Sequence, residues 1–207
     1  MGEHIANMIA APVLRASQLQ RSWETFQATS VDVPRGALTE ITGPTSSGRS
    51  SLLCSLLAAA TARQEFCALL DTQNSFDLRS ATDAGVRLSQ LLWVRCNGNV
   101  EHALKAADML ANAGGLGMVA IDLGDTPDQL VQRVPLAAWF RLRHAVENTR
   151  TALVSLAHRT HAHPCSVLKV ELRREGVLWS RYLKNLTASG ELIRSHRRQA
   201  IQLAFQR

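Results

Sequence analysis

The stretch "ITGPTSSGRSSLL", residues 41 to 53, constrains this chain more than any other. An extended run, "ALTEIT", leads into a turn bounded by Gly43 and Gly48, after which Leu52, Leu53, Leu56, Leu57 and Ala60 recur at helical spacing. Strand, glycine-rich loop, helix is the context in which the pattern G-x-x-x-x-G-K-[ST] cradles phosphate. Backbone N–H groups turn inward there and the helix N-terminus adds partial positive charge, so phosphate oxygens need few side-chain donors. Gly43, Pro44, Thr45, Ser46, Ser47, Gly48, Arg49, Ser50 and Ser51 are therefore the candidate nucleotide-binding residues, and the Ser50 hydroxyl is a candidate Mg²⁺ ligand.

Arg49 departs from that pattern, standing where the loop has lysine. A guanidinium is larger and planar and delivers its charge as a fork rather than a point. The backbone cradle for the α- and β-phosphates is expected to survive this change, whereas the γ-phosphate contact is expected to weaken. A serine- and glycine-rich turn ahead of a buried helix, with no ligand at all, accounts for the bare pattern equally well.

The remainder of the chain alternates short apolar runs with helical stripes. "FCALLDT" (66–72), "LLWVRC" (91–96), "GMVAIDLGD" (117–125) and "TALVSLAHR" (151–159) have the unbroken apolar character of buried parallel strands. Between them "NSFDLRSATDAGV" fits a helix ended by Gly85, Asn99 caps a helix stopped by Gly114, and a further helix runs from about Val134 to Asn148. "SVLKVELRREGVLWSRYLKN" reads as an antiparallel hairpin at the sheet's edge, turning at Glu175 and Gly176. The pattern predicts an α/β fold: a mostly parallel central sheet flanked by helices, closed by a C-terminal antiparallel hairpin.

With 207 residues, 46% of them hydrophobic, the chain has material for one sizeable core and not for two domains. The expected division is an N-terminal segment (1–33) with a short helix in "SQLQRSWETF" capped by Ser17 or Ser22, an α/β core (34–185) and a basic tail (186–207). No apolar run reaches the ~20 residues of a membrane helix, and "MGEHIANMIAAPVLR" lacks a signal-peptide pattern. A cytoplasmic protein without a membrane partner is expected. Cys54, Cys67, Cys96 and Cys165 are far apart and read as reduced thiols, and "HRTHAHPC" reads as a polar loop rather than a metal site.

The formal charge of +6 points to an acidic partner, single-stranded nucleic acid first among them. Arg141 and Arg143 stand beside Trp139 and Phe140, and Arg194, Arg197 and Arg198 crowd the C-terminal segment, so these are the candidate DNA or partner contacts. A solvated tail and a core helix explain the same residues. Asp122 ends an apolar run at the spacing of an aspartate that holds Mg²⁺ directly or through water.

"PRGALTEITGPTSSGRSSL" resembles the phosphate-loop segment of the RecA recombinase family, and "CALLDTQNSFDLRSATDAGVRLSQLLWV" and "GMVAIDL" extend the resemblance over roughly residues 34 to 174. The resemblance implies a RecA-like core that takes ATP or ADP with Mg²⁺ held by Ser50 and Asp122. It also sets Gln73 where the family has a water-activating glutamate, and a glutamine orients a water without accepting its proton. With Arg49 as a second departure, slow or absent hydrolysis is expected. The segments "GDTPDQLVQR" and "THAHPCS" are short where the family carries DNA-contacting loops. The overall plan is similar to the ImuA-type accessory proteins of damage-induced mutagenesis. That implies a DNA-repair or translesion-synthesis role through an error-prone polymerase or polymerase homologue, with single-stranded DNA and self-association as further candidates. An active RecA-family DNA-dependent ATPase, and a non-enzymatic module such as a cell-division inhibitor, stay open as alternatives.

Overall fold

In a computed structural model, the described residues are 25–28, 31–162, 164–179, 183–194 and 197–206. A short antiparallel hairpin, β1 (Thr25–Ala28) with β2 (Val31–Pro34), precedes the sheet. Its Val31 and Val33 are fully buried in the main core. The helix expected in "SQLQRSWETF" is therefore corrected at Thr25 and Phe26, which are strand; its other residues, with Ser17 and Ser22, lie outside the described residues.

The main sheet has eight strands in the order β10-β9-β8-β3-β7-β6-β4-β5. These are β3 (Leu38–Thr42), β4 (Cys67–Asp71), β5 (Leu91–Arg95), β6 (Met118–Asp122), β7 (Ala152–Ala157), β8 (Ser166–Trp179), β9 (Leu183–Arg194) and β10 (Arg197–Gln206). Strands β8, β3, β7, β6, β4 and β5 run parallel, and β9 and β10 extend the sheet antiparallel.

Helices α1 (Arg49–Ala62) and α2 (Leu78–Asp83) cover one face; α3 (Val100–Ala113), α4 (Asp128–Gln132) and α5 (Leu136–Val146) belong to the other. Alternate strand residues divide accordingly. Ile41, Leu69, Met118 and Val154 pack with Leu52, Leu53, Leu56 and Leu57 of α1. Leu38, Leu70, Ile121 and Leu153 pack with Leu104 of α3 and with Trp139 and Leu142 of α5. Because both faces are covered, the inner strands read as unbroken apolar runs. Truncating a leucine here, such as Leu56→Ala, is expected to cost about 2–5 kcal/mol.

Two C-terminal expectations are corrected. β8 does not turn at Glu175 and Gly176; it runs on to Trp179, with an irregularity in its pairing between Arg174 and Gly176. Nor is β8 an edge, since it lies between β3 and β9. Residues 186–206, expected as a tail, belong over their described positions to β9 and β10. The physical reason is visible in Ile201, Leu203 and Phe205, which repeat at two-residue spacing and extend the α1-side core.

Candidate functional site

The loop from β3 to α1 is a tight turn bounded by two glycines. Ser47 N–H donates to Pro44 O at 3.2 Å, Ser46 takes φ 61°, and Gly48 caps α1 in the left-handed region at φ 95°. Pro44, Thr45 and Ser46 are exposed, whereas Gly43, Ser47, Gly48 and Arg49 are buried. A Cβ on Gly43 would meet Leu172 O and Ser47 Oγ, each at 2.5 Å, so only glycine fits. Ser47 Oγ is buried without a hydrogen-bond partner, at the base of a loop whose first helical N–H groups have no intrahelical acceptor.

Arg49 follows the fold rather than the motif. Its side chain is buried, and Nη1 and Nη2 each donate to Gly124 O at 3.3 Å, just past the end of β6. Burial lowers its pKa, and the carboxylates of Asp122, Asp125 and Asp128 oppose that shift. The guanidinium thus ties the phosphate loop to the segment after β6.

Asp122 ends β6 as the sequence predicts, and its Oδ1 accepts from Gly124 N–H at 2.8 Å. Burial pushes its carboxyl up to about 6; the Gly124 hydrogen bond and Arg49 pull against that push, while Asp71 and Asp125 add to it. Thr72 pins β4 to β6, donating to Asp122 O at 2.6 Å and lying 2.7 Å from Thr126 Oγ1.

A groove of about 300 Å³ opens beside these groups. Ser50, Ser51 and Cys54 of α1 form one wall; Ser75, Phe76 and Asp77 form a second; Asp122, Asp125 and Phe205 complete it. Ser50 and Asp122 therefore share this groove. Gln73 does not line it. It is partly exposed on the turn after β4, which Asp71 organises by accepting from Ser75 N–H (3.2 Å), Phe76 N–H (2.9 Å) and Trp93 Nε1–H (3.2 Å). Phe76, Asp125 and Phe205 are not among the site residues expected from the sequence, although the two-residue spacing of Ile201, Leu203 and Phe205 signals a strand that could reach this groove.

The candidate DNA contacts fall in two places: Arg194 and Arg197 are cross-strand partners at the β9–β10 turn with Arg198 next along β10, whereas Arg141 and Arg143 belong to α5. Arg141 pairs with Asp108 at 3.3 Å, Arg143 is partly buried, Arg194 donates to the backbone of Asp32, and Arg198 pairs with Glu191 at 3.3 Å. The side chain of Arg197 lies outside the described residues. Trp139 is a core residue whose ring packs at a tilt of 58° against His161, centroids 4.8 Å apart, and Phe140 is half exposed.

His161 is likewise structural. Its backbone N–H, its Nδ1 and the Ala162 N–H converge on Oε1 of the fully buried Glu40, the last two at 3.0 Å, and its Nε2 lies 3.1 Å from Ser155 Oγ. Burial lowers the His161 pKa against the pull of Glu40. Ser155 is fully buried, so this serine, histidine and carboxylate serve packing rather than chemistry. Among the described residues no group of three His, Cys, Asp or Glu side chains could hold a metal, and no helix is long and apolar enough to cross a membrane. His163 lies outside the described residues.

Residues 26–135 match the family model described as the RecA N-terminal domain. Among curated proteins, the chain is 37% identical to protein RecA of Rickettsia bellii (strain OSU 85-389) over 90 residues, which is 44% of this chain and 26% of that protein. It is 29% identical to protein RecA of Chloroflexus aurantiacus (strain ATCC 29364 / DSM 637 / Y-400-fl) over 136 residues, 59% of this chain and 38% of that one. The figure for protein RecA of Laribacter hongkongensis (strain HLHK9) is 30% over the same length. The aligned stretch spans between 26% and 38% of the length of these relatives. The family match covers more than half of the chain and includes the glycine loop, β4 and Asp122, so the chain belongs to the RecA family through its N-terminal domain.

Proposed function

We propose that this protein is a RecA-like accessory factor of DNA repair or mutagenic translesion synthesis that binds ATP or ADP weakly and hydrolyses it slowly or not at all. Its work is done through protein contacts in the cytoplasm, with an error-prone polymerase or polymerase homologue as the partner. The observation that carries this reading is the position of Arg49, which is drawn onto Gly124 O instead of standing free to follow a transferring γ-phosphate. Gln73 supports it, since its amide cannot take a proton from an attacking water and the groove is lined by its neighbours instead. The phosphate cradle itself supports nucleotide binding, because the donors it offers are backbone and the buried Ser47 hydroxyl has no other partner.

The residues fit the nucleotide's phosphates better than they fit Mg²⁺. Ser50 and Asp122 would hold the ion, which would supply positive charge to offset that of the phosphates. Here the Asp122 carboxyl already accepts from Gly124 N–H, and the Arg49 guanidinium lies against the same residue.

Steady-state ATP turnover, measured with and without single-stranded DNA, tests the proposal together with calorimetric ADP and ATP titrations. Weak saturable binding with negligible turnover is expected, and capture of a polymerase subunit by the tagged protein supports the partner assignment. DNA-stimulated turnover at about 0.1 s⁻¹ or faster, within roughly two decades of the median enzyme turnover, would establish the active-ATPase reading in its place. Capture of division proteins without a polymerase would establish the interaction module.

A further inference from the structure

We infer that the chain forms a two-fold dimer in which β10 pairs antiparallel with β10 of a second copy, joining the two main sheets edge to edge. The pairing does not depend on nucleotide.

Strand β10 ends the main sheet: among the described residues β9 pairs with one side of it and no strand with the other. An open edge presents a row of unpaired N–H and C=O groups, which soluble folds blunt with charge, proline, a bulge or short length. The central stretch of β10 has none of these. The strand is ten residues long, and its pairing with β9 runs from Arg197 to Gln206 without a shift of register. Positions 199 to 206, "QAIQLAFQ", hold neither charge nor proline. The opposite edge, β5, is only five residues long and ends in the charged Arg95.

The order of residues along the strand selects a second copy as the occupant. Ile201 and Leu203 are buried towards α1, whereas Ala200, Gln202 and Ala204 are exposed. Residues opposite one another in an antiparallel pair share a face of the sheet, so odd positions of β10 must meet odd ones and even must meet even. With Gln202 on the two-fold axis this holds throughout. Ile201 then meets Leu203, Ala200 meets Ala204, Gln199 meets Phe205, and Arg198 meets the neutral Gln206. No like charges are opposed over this stretch, and Arg198 already pairs with Glu191 of its own chain at 3.3 Å. Each copy carries a formal charge of +6, so an uncharged strand is where two of them approach with least repulsion. A contact of this symmetry closes on itself and stops at two copies. Phe205, inside the paired stretch, is the ring that packs on Gly48, so the dimer also fixes the strand that bounds the groove.

Sedimentation velocity of the full chain between about 1 and 200 µM tests this, and a monomer–dimer equilibrium with a Kd of about 50 µM or lower is expected. In Gln202→Lys and in Gln202→Glu, like charges oppose one another across the axis, so each variant alone should dimerise about fivefold more weakly. An equimolar mixture of the two should recover the dimer, because lysine then faces glutamate. Position 202 is exposed, and the thermal unfolding midpoint of each variant checks that it folds. Leu92→Lys, at an exposed position of the opposite edge, should leave the dimer unchanged. In the wild type, hydrogen exchange across residues 199–206 should slow as the concentration rises. Monomers throughout the range, growth beyond two copies, or exchange in β10 that ignores concentration overturns the pairing. So does a dimer that Leu92→Lys abolishes, that either Gln202 variant leaves intact, or that mixing the two fails to restore.

Discussion

Phe205 closes over Gly48: a Cβ added to that glycine would meet the phenyl edge at 3.1 Å and the Ala188 methyl at 3.4 Å. The strand nearest the C-terminus thus packs directly on the loop that begins α1, and the same ring lines the groove. The glycine loop and the sheet extension are one mechanical unit, so a change in either is expected to be felt in the other.

Gly48→Ala should therefore be costly on two counts. A left-handed φ of 95° is unfavourable for a residue with a Cβ, by about 1–2 kcal/mol, and the contact with Phe205 adds to it. For a chain of this size a loss of that order lowers the unfolding midpoint by roughly 2–4 °C per kcal/mol. The double variant Gly48→Ala, Phe205→Ala should relieve the contact but not the backbone cost, giving a non-additive cycle in thermal unfolding. A Gly48→Ala protein as stable as the parent would contradict this account.

Glu40 should matter more for stability than any exposed acid. Its Oε1 gathers the N–H groups of His161 and Ala162 and the His161 ring, stapling the connection after β7 to the central strand. Glu40→Ala leaves those donors buried and unmet, and about 2–4 kcal/mol should be lost by denaturant unfolding. Glu40→Gln keeps an acceptor at Oε1 and places its amide at Oε2, which has no partner, so less than half of that loss is expected. Equal losses from the two variants would show that charge rather than hydrogen bonding holds the connection. His161 adds a pH limb. Its folded-state pKa lies below the ordinary 6.5, so its contribution is present above that pH and declines as the pH falls below it.

How much of this was legible in the sequence depends on which force fixes each element. The loop from Gly43 to Ser51 and the core strands were readable because glycine geometry and two-sided burial leave marks on single positions and short runs. The C-terminal extension was obscured by its charge. Arg194, Arg197 and Arg198 suggested a tail, while the two-residue spacing of Ile201, Leu203 and Phe205, visible in the same segment, signals a strand with one buried face. The destination of the Arg49 side chain could not be read at all. It depends on Gly124, 75 residues away, and the intervening sequence carries no mark of that pairing.

The engagement of the arginines within the fold leads to a prediction for nucleic acid. Arg141, Arg194 and Arg198 are each engaged with a different element of the fold, and the C-terminal arginines gather only at the β9–β10 turn, where Arg194 faces Arg197, while Arg141 and Arg143 belong to α5. Binding to single-stranded oligonucleotides should therefore be weak, with a log–log salt slope shallower than about −2, at roughly −0.7 per phosphate neutralised. Fluorescence anisotropy across a salt series measures it. A slope steeper than about −4 would require a continuous basic track.

Asp122→Asn should stabilise the protein in a pH-dependent way. In the folded state burial raises this carboxyl to about 6 from an ordinary 3.8, so ionising it costs more there than in the unfolded chain. The unfolded state releases its proton first, near pH 4, and the folded state follows near pH 6. The wild type therefore loses stability as the pH rises through that window, and the penalty is complete above it. Asparagine never ionises and still offers Gly124 N–H an acceptor, so the variant escapes the penalty. Wild type and variant should differ little in their pH trend below about pH 4, diverge between about pH 4 and 6, and then hold a constant gap of up to roughly 3 kcal/mol. Denaturant unfolding of both proteins at pH 4, 5, 6 and 7.5 resolves this. A gap that shrinks as the pH rises would mean that Arg49 and the Gly124 hydrogen bond outweigh burial, and that Asp122 is held as a carboxylate after all.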